Sequence, residues 1–157
     1  MKNFRQFRWL WVTLLVLVVD LVTKKMASHF ILTLLPYKVT PFLNFRLVYN
    51  SGSAFGFLDQ QSGWQLWFLS IVAIVVCVAL LIWLYRLPTS HRWTAVAIAM
   101  IIGGALGNMI DRLTLGYVLD FIDVHVGSHH WPAFNVADMA ICIGVVIVLI
   151  RLIHNHK

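Results

Sequence analysis

The sequence predicts an all-α integral membrane protein: four transmembrane helices with a small extracytoplasmic β-sheet element in the first external loop. Three observations carry that expectation. Of 157 residues, 61% are hydrophobic and 11% charged, against roughly 45–50% and about 25% in soluble domains. Mean hydropathy is +0.84. Four apolar segments, at about 9–27, 66–85, 93–110 and 134–153, are each long enough to cross ~30 Å of hydrocarbon as a helix.

The first segment follows Lys2, Arg5 and Arg8 and is interrupted by Asp20. A basic start before an apolar run is also how a secretory signal begins. No A-x-A cleavage site follows, so the segment is expected to stay as a helix. The stretch 28–65 forms the first external loop. Within it, VTPFLNFRLVYNSGSAFGFL at 39–58 mixes aromatic and β-branched residues with Gly and Ser, which predicts short strands and a turn. The second and third segments are joined by a turn flanked by Arg86 and Arg92. Gly103 and Gly107, four apart on segment three, let helices approach closely. The stretch 111–133 is the second external loop, and Arg151 and Lys157 come at and after the end of segment four.

With four crossings, the amino-terminal basic cluster, the Arg86–Arg92 turn and the carboxy-terminal cations share one side. The positive-inside rule makes that side, and both termini, cytoplasmic. Lys24, Lys25, Lys38, Arg46 and Arg112 fall on the other side, so the bias is incomplete. No internal repeat or low-complexity tract divides the chain, and residues 1–157 are expected to form one domain. The net charge of +6 is therefore assigned to membrane anchoring and not to nucleic acid. Cys77 and Cys142 lie inside apolar runs, where they serve as small hydrophobes.

The acids are the most informative residues. All six are Asp, and there is no Glu. Asp20 lies near the outer end of helix one, Asp59 in the first external loop, Asp111 at the end of helix three, Asp120 and Asp123 in the second loop, and Asp138 at the start of helix four. None lies toward the cytoplasmic side, so a polar site is expected at the external membrane boundary. Each also has a plain structural role. Asp20 is spaced to pair with Lys24 at i+4. Asp59, in LDQQSG, suits a turn, and Asp123 suits an ordinary loop acid. Asp111 adjoins Arg112, which predicts a fixed ion pair. Asp120, inside VLDFI, is surrounded by apolar residues that raise a carboxyl pKa. Asp138 stands before twelve uninterrupted apolar residues, Met139 to Ile150. With Asn135 as the helix N-cap, Asp138 falls at N3, where an acid reaches back to the cap. Capping and catalysis both remain open for Asp138 on spacing alone.

Two carboxylates brought together can share one proton. One then serves as general base on water, the other as general acid to a carbonyl oxygen. Asp138 with a partner of raised pKa, Asp120 foremost, would hydrolyse an acyl bond without a covalent intermediate. Other chemistries fit less well. Gly127-Ser128 lacks the following x-G of a nucleophile elbow, and H-E-x-x-H needs a Glu the chain does not have. His125, His129 and His130 with Asp123 are loosely spaced for a metal, but solvated loop histidines are the commoner case. No cofactor and no metal are expected.

DLVTK (Asp20 to Lys24), NSGSAFG (Asn50 to Gly56), GGALGNMIDR (Gly103 to Arg112), VLDF (Val118 to Phe121) and AFNVAD (Ala133 to Asp138) occur in that order. Together they resemble the lipoprotein signal peptidases, the type II signal peptidases of bacteria, over nearly the whole chain. The resemblance implies an inner-membrane aspartic endopeptidase that cuts prolipoproteins before their diacylglyceryl-modified cysteine. It implies Asp120 and Asp138 as the catalytic pair. Asn50, Gly52, Asn108, Arg112 and Asn135 would then bind substrate, with Asp20, Lys24 and Asp111 in support. It also implies cleavage near the outer leaflet and inhibition by cyclic peptides such as globomycin. Expected partners are the prolipoprotein and membrane lipids, with the chain a monomer. A small proton-coupled carrier is the rival from another class, since intramembrane acids also mark proton relays. A scaffold in which the acids only cap and pair is a second.

Overall fold

The computed structural model describes residues 4–31, 35–52 and 63–155. A 3-10 turn, Phe4–Trp9, leads into α1, Leu10–Phe30. Strands β1, Tyr37–Thr40, and β2, Leu43–Asn50, follow. Then come α2, Trp64–Arg86, and α3, Arg92–Leu115. Strands β3, Val118–Val126, and β4, His129–His130, precede α4, Val136–Asn155. Three helices are long and apolar enough to cross a membrane by length and composition: Trp64–Arg86, Arg92–Leu115 and Val136–His154. α1 has the length, but it carries Asp20, Lys24 and Lys25.

α3 is the hub, packing against α1, α2 and α4. Its buried face is built from small residues, among them Ala95, Ala97, Ala99, Gly103, Gly104 and Gly107. Small side chains let backbones meet, which substitutes for the hydrophobic effect that lipid does not supply. A methyl group at Gly104 would collide with the Ala137 carbonyl of α4, and one at Gly107 would lie 2.5 Å from Asp20 Oδ2 of α1. The helices are inverted relative to a soluble bundle. Leu14, Val18 and Val22 on α1 and Ile71, Val75 and Val78 on α2 are exposed, while Asp20, Lys24, Asn108 and Asp111 are buried. Hydrocarbon as solvent accounts for that distribution.

Two boundaries differ from expectation. α3 does not stop at residue 110 but runs to Leu115, where Gly116 turns left-handed at φ 81° and donates its N–H to the Arg112 carbonyl. Glycine takes this conformation without the Cβ penalty, and it ends the helix. Asp111 and Arg112 therefore sit on the final helical turns. The sheet is also larger than one loop. It is antiparallel, in the order β1-β2-β3-β4, and it takes β3 and β4 from the second external segment. Val118 to Phe121 are all buried, so β3 lacks the polar alternation of a half-exposed strand and looks in sequence like a short apolar run. The bridge Ile122↔Phe134 extends the pairing to the segment just before α4. Residues 53–58 of the expected strand region, and Asp59, lie outside the described residues.

Candidate active site

The pairing at Phe134 builds the site. The Phe134 N–H donates to the Ile122 carbonyl, and its own carbonyl accepts from the N–H groups of Phe121 and Ile122. This lays AFN alongside VLDF and sets Asn135 next to Asp120. Asn135 Nδ2 donates to Asp120 Oδ1 at 2.7 Å. From the other side, β2 pairs with β3 so that Asn50 faces Val118 and Val48 faces Asp120. Asn50 Nδ2 reaches diagonally to Asp120 Oδ2 at 3.0 Å, and the Gly52 N–H donates to Asn50 Oδ1 at 3.0 Å, holding that amide in place.

Asn135 also caps α4. The Asp138 N–H donates to Asn135 Oδ1 at 3.0 Å, and the Asn135 N–H donates to Asp138 Oδ2 at 3.2 Å. This is a reciprocal capping box. Capping and site-building are therefore not alternatives at Asp138, because the cap fixes the carboxylate's direction. Its other oxygen, Oδ1, accepts from Asn108 Nδ2 on α3 at 2.8 Å. Asn135 Nδ2 spends its second proton on Asn108 Oδ1 at 3.1 Å. Two asparagines thus bridge Asp120 and Asp138, and every polar atom of the two amides has a partner.

Asp120 is 2% exposed, and its carboxyl is pushed up to about 7. Burial is the largest cause and the charge of Asp138 the next. The amides of Asn50 and Asn135 and the charge of Lys24 act in the opposite direction without overcoming them. A buried carboxyl raised toward neutrality beside a second carboxyl makes the two a candidate acid–base pair.

Beneath the two carboxyls lies a buried ionic layer. Lys24 Nζ contacts Asp20 Oδ2 at 2.8 Å, Asp111 Oδ2 at 2.9 Å and Asn108 Oδ1 at 2.9 Å. The three donors of an ammonium are matched by three acceptors. Asp111 Oδ2 also accepts the Leu119 N–H at 3.2 Å, and Asp20 Oδ1 accepts the Ala137 N–H at 2.9 Å. Each acid so ties a helix to a neighbouring site element. The expected Asp111–Arg112 pair does not form, because adjacent helical residues point about 100° apart. Asp111 turns inward to Lys24. Arg112 lies within electrostatic reach of Asp138, Asp120 and Asp111. It makes one long contact, Nη1 to the Asn108 carbonyl at 3.5 Å, and its buried Nε has no partner among the described residues.

Two features, one in this layer and one in the sheet, escaped the sequence. The reach of Lys24 to Asn108 was signalled only by a lysine one turn after Asp20 in an apolar helix. Asp123, expected to be an ordinary loop acid, is fully buried. It accepts from His130 Nδ1 at 2.8 Å and Asn44 Nδ2 at 3.3 Å and faces Arg46 at 3.5 Å. Burial alone would raise its pKa, but these donors and the Arg46 charge together hold it low. Asp123 therefore pins the sheet and stands apart from the bridged pair. His130 is engaged by Asp123 and His125 Nδ1 lies 3.1 Å from the Gly127 carbonyl. Among the described residues, no three His, Cys or acidic side chains are grouped to hold a metal.

The family model described as signal peptidase (SPase) II matches residues 12–154. A lipoprotein signal peptidase of Coxiella burnetii is 44% identical over 152 residues, covering 97% of this chain and 93% of that protein. One from Teredinibacter turnerae is 47% identical over 142 residues, covering 90% and 84%. A solved structure of a bacterial membrane enzyme, obtained by the in meso method at 2.3 Å resolution, superposes with a TM-score of 0.87 at 31% identity. The match covers 99% of this chain and 93% of that one. A second, at 1.9 Å, gives 0.82 at 32%, covering 96% and 95%.

Proposed function

The chain belongs to the signal peptidase II family and acts as a lipoprotein signal peptidase; we propose that Asp120 and Asp138 are its catalytic pair and that it cuts before a diacylglyceryl-modified cysteine. The observation that carries the assignment is the double asparagine bridge between two carboxyls, one of which holds its proton near neutrality.

In the proposed reaction Asp138 is ionised and Asp120 protonated. Asp138 takes a proton from water as the oxygen attacks the scissile carbonyl carbon, and Asp120 gives its proton to the carbonyl oxygen. A tetrahedral diol results. Asp138 then protonates the leaving amide nitrogen, the C–N bond breaks, and Asp120 recovers its proton from a diol hydroxyl. The products are the signal peptide's new carboxyl terminus and the amino group of the lipidated cysteine. The partly free guanidinium of Arg112 holds a polar group of the extended substrate. Asn50, placed by Gly52, and the Asn108 and Asn135 amides orient the carboxyls and the peptide backbone.

All four helices are proposed to cross the membrane. α1 can do so because Asp20 and Lys24 turn inward to α3 and α4, leaving an apolar outer face. The site then lies near the outer leaflet of the bacterial inner membrane, where a lipid anchor holds the substrate and water is available. The protein is proposed to work as a monomer of one domain, among membrane lipids, and to be blocked by substrate-like cyclic peptides such as globomycin. Nothing favours a proton-coupled carrier: Asp20, Asp111, Asp120 and Asp138 form one connected cluster instead of a relay through the bilayer.

The direct test is incubation of the purified protein with a diacylglyceryl-modified precursor. Cleavage before the cysteine supports the assignment, and an intact precursor overturns it. The same assay with EDTA is expected to run at an unchanged rate, since carboxyls alone supply the acid and base. Abolition by EDTA with rescue by zinc would move His125, His129 and His130 into the site. Topology is checked separately. In a Cys142→Ser background, an impermeant thiol reagent outside cells should label Val126→Cys on the β3–β4 turn but not Thr89→Cys in the α2–α3 turn. The reverse pattern would invert the map.

A further inference from the structure

The arm that brings Asn135 and Asp138 to Asp120 is joined to β3 by an irregular ladder. At the hairpin end His125 pairs with His130 and Val126 with His129, and the Trp131 N–H donates to the Val124 carbonyl at 2.8 Å. At the end nearer α4, Ile122 pairs with Phe134. Between these points β3 contributes one residue, Asp123, and the arm contributes two, Pro132 and Ala133. Two residues against one make a β-bulge, which shifts the register by one position. Pro132 also has no N–H to give the ladder there.

That register decides whether the two carboxyls meet. Asn135 directly follows Phe134 and donates to Asp120 at 2.7 Å. A slip of one residue moves a strand by about 3.3 Å and turns each side chain to the opposite face. The link from Asn135 to Asp120 would be lost, and with it the placement of Asp138 through the α4 cap. One side-chain contact spans the bulge. Asp123, opposite the two-residue stretch, accepts from His130 Nδ1 with both oxygens, at 2.8 and 3.0 Å. Its carboxylate is fully buried and is held from β2 by Asn44 Nδ2 at 3.3 Å and Arg46 Nε at 3.5 Å. An ionised carboxylate only accepts, so Nδ1 is the ring nitrogen that carries the proton. The His130 ring stacks on His125 with centroids 4.9 Å apart, which limits its rotation.

We propose that Asp123 and His130 are positioning residues for cleavage: their contact selects the register in which Asn135 and Asp138 meet Asp120. The inference rests on the reading of Asp120 and Asp138 as the catalytic pair. Asp123 and His130 act through the backbone, by way of β3 on one side and residues 131–134 on the other. Losing the contact therefore lowers turnover, because the acid and base are misplaced. Substrate affinity changes little, because the proposed substrate contacts of Asn50 and Arg112 lie on β2 and α3.

The test is steady-state cleavage of a diacylglyceryl-modified precursor by the full-length protein in detergent, counted per folded molecule after size-exclusion chromatography. The His130 side chain is 41% exposed, so its replacement opens no hole in a core. His130→Leu removes the N–H donor and should lower kcat by about 10- to 100-fold with KM within about twofold of the parent's, since a misplacement of about 1 Å costs up to about 10²-fold. His130→Asn sets an amide N–H where Nδ1 stands and should bring kcat back to within about threefold of the parent. Asp123→Asn keeps the shape, tests the contact from its other side and should lower kcat in the same direction. His129→Leu, on the exposed neighbour in β4, should match the parent. Parental kcat in His130→Leu, a raised KM with kcat unchanged, or a His130→Asn protein no better than His130→Leu would each overturn the positioning role. Undiminished cleavage by Asp120→Asn would instead overturn the reading of the catalytic pair, and the inference with it.

Discussion

Asp120→Asn and Asp138→Asn are each expected to abolish measurable cleavage while leaving a folded protein that still binds a substrate-like inhibitor. Asparagine keeps the side-chain shape and removes the titration. Each variant loses one proton-transfer partner, an effect of about 10²–10⁴-fold in turnover. The double variant should be hardly worse than either single one, because groups that act as a unit do not contribute additively. The measurement is cleavage of a diacylglyceryl-modified precursor by the two single variants and the double. Substantial activity in either single variant, or losses that simply multiply, would remove the shared-proton mechanism from these residues.

The same pair sets the pH dependence. Asp120 is held up at about 7, first by burial and next by the Asp138 charge. Cleavage should fall as pH rises through neutrality, when Asp120, the proposed general acid, loses its proton. Folding follows with a definite sign. A carboxyl whose folded pKa exceeds its unfolded one binds more protons in the native state. Its contribution is complete below the unfolded value, and it is lost as pH rises toward about 7. Asp120→Asn lacks that term. Its thermal stability should therefore decline less than the parent's between about pH 5 and about pH 8. A parallel decline would mean that Asp120 is already ionised in the folded parent.

How much of this was legible in the sequence depends on the range of the interaction. The helices were readable because runs such as Met139 to Ile150 admit few other structures in a chain so poor in charge. The gathering of Asp residues at one boundary was readable for the same reason. The Asn135–Asp138 cap was readable because it spans one helical turn. What sequence could not supply were choices made by distant neighbours. Whether Asp111 turns to Arg112 or to Lys24 depends on how α1 packs on α3, and those helices meet only because Gly103 and Gly107 permit it. β3 was hidden because both its faces are covered at Val118 to Phe121. The fixing of Asp123 by Asn44, 79 residues away, depends on the register of β2 against β3. Family resemblance supplied the candidate site residues, while a physical reason for Asn108 appears only once Lys24 and Asp138 are seen on either side of it.

Lys24→Met should cost more folded protein than any other single substitution in the layer beneath the site. Lys24 is 3% exposed and is the cation between Asp20 and Asp111. Methionine matches its length and removes its charge. Two carboxylates then face each other in the interior without a counter-ion, and breaking a buried pair in this way costs about 3–5 kcal/mol. Against a total stability of about 5–15 kcal/mol, that is enough to deplete the native state. A second substitution separates this cause from a simple packing defect. Adding Asp111→Asn to Lys24→Met should restore part of the yield at neutral pH, because only one carboxylate is left to bury. Any restored protein should still cleave slowly. Lys24 also holds Asn108 Oδ1 at 2.9 Å, which directs Asn108 Nδ2 to Asp138; released, the amide can flip and unseat the carboxylate proposed to activate water. The measurements are folded yield by size-exclusion chromatography at about pH 8 for the single and double variants and turnover per folded molecule. A Lys24→Met protein that folds to parental yield at about pH 8 would show that the buried layer does not need its cation.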